Sequence, residues 1–76
     1  MNKARREKIQ RIINNLAEIK ERISSVREEE EMAFDNMPEG LQDSLRGMKS
    51  QDAINSLENA EESVDEALEG LEEATY

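Results

Sequence analysis

The chain has 76 residues, enough for one domain. With 36% hydrophobic residues, 38% charged residues and only Phe34 and Tyr76 as aromatics, it can bury only a thin core and needs a staple or a partner. It has no Cys and no His, which excludes a disulfide and removes the commonest metal ligand and neutral-pH base, so a partner chain is the staple left.

The net charge of −9 is unevenly placed. Residues 1–27 carry eight Lys/Arg and three Glu, a net of +5, while residues 28–76 carry two basic and sixteen acidic residues, a net of −14. The acidic second half would repel phosphates, so nucleic acid is not the expected ligand. No apolar run approaches the roughly 18 residues of a membrane span. Polar residues follow the basic start "MNKARREK", so no signal peptide is expected. The expectation is a cytoplasmic protein without membrane association.

The first element is a helix over about 2–34, with Asn2 as its N-cap. Its apolar residues alternate steps of three and four. That spacing predicts a heptad seam with Ile9, Leu16 and Ile23 at a and Ile12, Ile19 and Val26 at d. Glu30 interrupts the seam. A corner follows over about 35–44. Pro38 cannot sit inside a helix, but it can open a new helical turn. It also pushes Met37 out of helical geometry. Asp35 and Asn36 suit a turn, and Gly40 is read as relieving strain there. Phe34, Met37 and Leu41 are expected to form an apolar plug closing this end, and with Pro38 they make up the structural corner. The second long helix is predicted over about 45–74, with Leu57, Val64 and Leu71 at a and Ala53, Ala60, Ala67 and Ala74 at d. Gly47 is expected to weaken its first turn by about 1 kcal/mol relative to Ala.

Each long helix opposes its own macrodipole. Lys3, Arg5, Arg6 and Lys8 start the first, and Glu69, Glu72 and Glu73 end the second. Antiparallel pairing places the basic start beside the acidic end. With the turn near Gly40, Ile9 should meet Leu71, Leu16 meet Val64 and Ile23 meet Leu57. Glu30 should face Lys49 and Ser50, and Arg46 and Lys49 should lie beside the Glu28–Glu31 run. The predicted fold is all-α: an antiparallel helical hairpin that dimerises into a four-helix bundle. Ile13, Ile54 and Leu68 lie outside the predicted seam, which makes them the candidate dimer interface.

No catalytic, metal or cofactor site is predicted. Asp35 to Arg46 has the length of a calcium loop, but Met37 and Arg46 occupy positions that require ligands. The serines have no His partner, and no glycine-rich phosphate loop exists. Glu58, Glu62, Asp65, Glu69 and Glu72 form an acidic row on the outer face of the second helix, either a solvated face or a surface that imitates a phosphate backbone for a basic protein.

The stretch from Phe34 to Ala74, "FDNMPEGLQDSLRGMKSQDAINSLENAEESVDEALEGLEEA", together with the start "MNKARREKIQRII", resembles a group of small uncharacterised acidic helical-hairpin proteins of phages and prophages of Gram-positive bacteria. The corner at Asp35–Gln42, "DNMPEGLQ", is its specific part. The resemblance implies the cytoplasm of an infected or lysogenic host. It also implies a non-enzymatic module that binds and blocks a host protein, such as a defence or DNA-processing factor. Two alternatives stand beside it: a helical sponge for a small anionic nucleotide, drawing on Lys3 to Arg11, and a purely structural assembly component.

Overall fold

The computed structural model describes residues 1–75, which form α1 (Lys3–Asp35), α2 (Glu39–Gln42) and α3 (Leu45–Ala74). Asn2 is extended, and its Oδ1 accepts the Arg5 N–H at 2.9 Å, satisfying one of the free donors at the start of α1. Ser44 does the same for α3, its Oγ accepting the Gly47 N–H at 3.4 Å. The molecule measures 58 × 14 × 12 Å, hardly longer than α1 alone at about 1.5 Å per residue, so the long helices lie side by side. Lys20 meets Asp65, Ser24 and Arg27 meet Glu61, and Glu30 meets Ser50, so the two helices run antiparallel.

The corner is built from backbone carbonyls that find new donors. The Asn36 N–H donates to the Met32 carbonyl and the Met37 N–H to that of Phe34, each at 3.0 Å, and α1 ends there. Pro38 is extended and has no N–H to give. Its carbonyl accepts from Leu41 N–H at 2.8 Å and from Gln42 N–H at 3.1 Å, which starts α2. Gln42 Nε2 then reaches back to the Phe34 and Met37 carbonyls, at 3.2 Å each. Phe34 and Met37 are half-buried as expected, but Leu41 is 42% exposed and leaves the plug. Gln42, half-buried one residue on, takes the inward place.

The glycines exchange roles relative to expectation. Gly40 has a negative φ and open space around a Cβ, so it relieves no strain. Gly47 is the indispensable one. A Cβ there would stand 2.6 Å from the Leu41 carbonyl oxygen and closer still to that of Gln42. The first turn of α3 is therefore pressed on the corner backbone.

The largest correction concerns the seam. Along α1 the inward residues are Ile9, Ile13, Leu16, Lys20, Ile23, Arg27, Glu30 and Phe34, which are positions a and e. Along α3 they are Ser50, Ile54, Leu57, Glu61, Val64, Leu68 and Leu71, again a and e. Ile13, Ile54 and Leu68 thus belong to the seam within the hairpin, not to an outward dimer surface; Ile54, at 7% exposure, is its most buried apolar side chain. Ile12, Ile19 and Val26, expected inside, are 46%, 42% and 51% exposed. The choice follows apolar size. The a/e seam gathers Ile13, Phe34, Ile54 and Leu68, whereas the apolar d positions of α3 are all alanine.

Glu30 faces Ser50 as expected and accepts its hydroxyl at 2.7 Å. Lys49 and Arg46 are exposed and make no ion pair among the described residues. Further from the corner, the partners lie more than a helical turn beyond their expected places on α3. Side chains lean toward the N-terminus of their own helix, so on antiparallel helices long ones meet beyond the level of their Cα atoms. The cross-helix ion pairs sit mid-rod, at Lys20 and Arg27, not between the basic start and the acidic end.

Gly47→Ala should destabilise the hairpin. Alanine gains about 1 kcal/mol in helix propensity, but backbone must move to admit its methyl, at about 1–3 kcal/mol or more. The expected melting temperature falls by several degrees. Gly40→Ala, with open space around its Cβ, should leave it unchanged or raise it. Thermal denaturation followed by circular dichroism separates the two.

Candidate functional site

Two faces flank the seam. One carries an ionic network built on Arg27, which lies four residues after Ile23 and so points across to α3. Its Nε donates to Glu61 Oε1 and its Nη1 to Glu31 Oε1 at 2.8 Å. Ser24 donates its hydroxyl to the other Glu61 oxygen at 2.9 Å. One turn away, Lys20 Nζ lies 2.6 Å from Asp65 Oδ1. The Arg27 and Glu61 side chains are only 21% and 15% exposed, so water screens this pair less than an ordinary surface pair. The hydrogen bond from Arg27 is the main cause of a Glu61 carboxyl held below the ordinary 4.5, with burial opposing and Ser24 and the charges of Arg27 and Lys20 assisting. Arg27 is raised above its already high ordinary value by the same contacts with Glu61 and Glu31.

Sequence periodicity contained a signal for this network. Glu61 lies four residues after Leu57 and three before Val64, on the apolar stripe itself. A charged residue in that phase reads as a defect until its partner across the seam is known.

The acidic row of α3 divides into two groups. Asp65 is half-buried and held by Lys20, so it belongs to the network. Glu58, Glu62, Glu69 and Glu72 are exposed and make no ion pair among the described residues. A shallow concavity on this side is lined by Lys20, Glu21, Ser24, Glu28 and Leu68, so its carboxylates outnumber its one amine. The basic residues Lys3, Arg5, Arg6, Lys8 and Arg11 are all exposed along the first turns of α1. Among the described residues no helix is long and apolar enough to cross a membrane.

The other face carries no network. It holds the exposed Ile12, Ile19 and Val26 of α1 and the d-position alanines of α3.

The Glu61 contribution has a definite pH dependence. A carboxyl with a depressed folded-state value binds its proton more tightly when the chain is unfolded. Its stabilisation is therefore complete above the ordinary 4.5 and is lost as pH falls through the depressed value. Glu61→Gln should lower the melting temperature at neutral pH, and the gap from the unsubstituted chain should close under acid conditions. A gap that persists unchanged in acid would assign the effect to side-chain shape instead of charge.

No family model matches the chain and no curated protein or solved structure is significantly similar to it, so its faces carry the functional assignment.

Proposed function

We propose that this chain is a non-enzymatic protein-binding module that self-associates into a four-helix bundle and engages a basic protein through the acidic side of α3. The observation that carries the reading is the exposed, unpaired row Glu58, Glu62, Glu69 and Glu72 among the described residues. Cross-helix or neighbouring groups hold the carboxylates of Glu18, Glu30, Glu31, Glu61 and Asp65. The others raise self-repulsion within a chain of net charge −9. A row of unpaired carboxylates on a stiff rod speeds encounter with a basic surface and sets orientation more than it sets affinity.

The phage resemblance of the corner makes the partner a host protein, and a nuclease or other DNA-binding factor offers the basic groove such a row would fill. The anionic-nucleotide sponge has weaker support, because Glu21 and Glu28 stand beside Lys20 in the concavity. A purely structural role is the second reading, favoured by the exposed apolar stripe of α1.

The test is charge-selective capture. Host proteins retained by the immobilised chain should be released by raised salt. They should be lost on simultaneous Glu58→Gln, Glu62→Gln, Glu69→Gln and Glu72→Gln substitution, with helical content unchanged. Retention of the same protein by the substituted chain would overturn the acidic-face reading.

A further inference from the structure

An α-helix of a bundle uses three heptad positions for its core, a and d with e or g. Both long helices here carry apolar residues at a, d and e, and the hairpin consumes only a and e. Position d lies about 60° from a on the side away from e, so it is left largely facing water, with Ala60 alone of the d alanines half-buried. On antiparallel helices the same heptad position emerges on the same side of the hairpin. The opposite side bears this out, since Glu31 and Gln51, both at b, line one concavity. The two d stripes therefore share one face. Ile12, Ile19 and Val26 form a ridge, and Ala53, Ala60 and Ala67 form a groove beside it.

We infer that a second copy of this chain docks on this face, each α1 ridge lying in the α3 groove of the other copy with both corners at one end. The inference rests on the reading of the chain as self-associating and specifies its surface. Four observations select this occupant. First, α3 is acidic at eight of residues 53–74, yet none of these carboxylates stands at d or at the neighbouring g, which holds Ser56, Ser63 and Gly70. Over that stretch the face is uncharged and small on an otherwise acidic helix. Second, the face is self-complementary, because it offers both the ridge and a groove to receive it. The reversed stacking would set α3 against α3, joining the two most acidic helices, and would leave Ile-on-Ile beside Ala-on-Ala with unequal spacing. Third, Glu29 and Lys49 stand on the outer edges of this face, exposed and unpaired among the described residues. The proposed stacking brings each Glu29 toward the Lys49 of the other copy. Fourth, the patch is large enough. Continued by the exposed Ala33 and Ala74 at the next d positions, it runs about 32 Å by 20 Å, roughly 600 Å² per copy and about 1,200 Å² in all, above the roughly 1,000 Å² a specific interface needs. The hairpin alone buries a single apolar side chain, Ile54, among the described residues.

Sedimentation equilibrium of the full chain from micromolar to millimolar concentration should give twice 8.7 kDa. Ile19→Glu and Ala67→Arg, both outside the hairpin seam, should each raise the dimer dissociation constant about 100-fold or more. Circular dichroism should report helical content retained at low concentration. Spin labels on Glu39→Cys at the corner should lie at well under half of the 58 Å length of the rod in the dimer. A monomer of 8.7 kDa at every concentration overturns both self-association and its surface. A dimer that survives both substitutions keeps self-association and overturns this face. A corner-to-corner distance near the rod length overturns the orientation.

Discussion

Two helices in contact can share only part of each other's apolar surface, and the architecture of this chain follows from that limit. Both long helices carry apolar residues at three heptad positions, but a two-helix seam is about two positions wide. One stripe must be left over. Position e wins because it carries the bulk, with Ile13 and Phe34 on one helix and Ile54 and Leu68 on the other. Burial of a large side chain stabilises by about 1.5–3 kcal/mol when complete, far more than an alanine can contribute. From Ala53 to Ala74 the d stripe of α3 is alanine, so a seam built on it would press a ridge of isoleucines against small residues and leave the larger ones in water.

Choosing e has an electrostatic consequence. That phase brings Lys20 and Arg27 into the seam on α1 and Glu61 on α3. A lone charge there would be costly, but each meets an opposite charge across the gap, and Ser24 satisfies the remaining Glu61 oxygen. The network fixes direction and register at mid-rod, where the apolar core is interrupted. At the corner, ion pairs give way to hydrogen bonds and shape. Ser50 satisfies Glu30, Gln42 caps the end of α1, and Gly47 admits α3 against the Gln42 carbonyl. The rod is thus held by charge in its middle and by shape at its closed end.

These particulars explain what could be read from the sequence. Helix ends were legible because they depend on local chemistry. Asn2 caps α1, Pro38 stops it from continuing and Ser44 starts α3, each within a few residues of the backbone it serves. The apolar stripes were legible too, but their assignment was not. Periodicity on one helix ranks d and e by that helix alone, and there Ile12, Ile19 and Val26 outscore a phase interrupted by Lys20 and Arg27. The decision belongs to the pair, because Glu61 and Asp65 turn the interruptions into contacts. The role of Gly47 is hidden for a similar reason. Helix propensity prices a glycine within its own helix, whereas its role lies in the carbonyls of Leu41 and Gln42. Among the candidate site residues, Asp65 is a partner of Lys20 across the helices, a contact that its place in the acidic row of α3 does not reveal.

The same sorting of residues bears on function. A chain of net charge −9 gains repulsion when it meets a copy of itself, unless its carboxylates are kept off the meeting surface. On α3 they are confined to the seam and the outward positions, and the d and g positions, which carry no acid, face the other way. Uniformly spread charge would serve solubility as well, so solubility alone does not call for this separation. The proposed self-association and acidic docking account for it together: one surface is free of acid and matched to itself, and the other carries carboxylates that stay free of partners within the hairpin. Paired through the neutral face, two copies would turn their acidic sides outward in opposite directions. Each basic protein engaged there would raise the effective concentration of the second site for a multivalent target. The thinness of the hairpin core then has a reason in the design, since the apolar surface it leaves uncovered is the surface that would make the assembly bivalent.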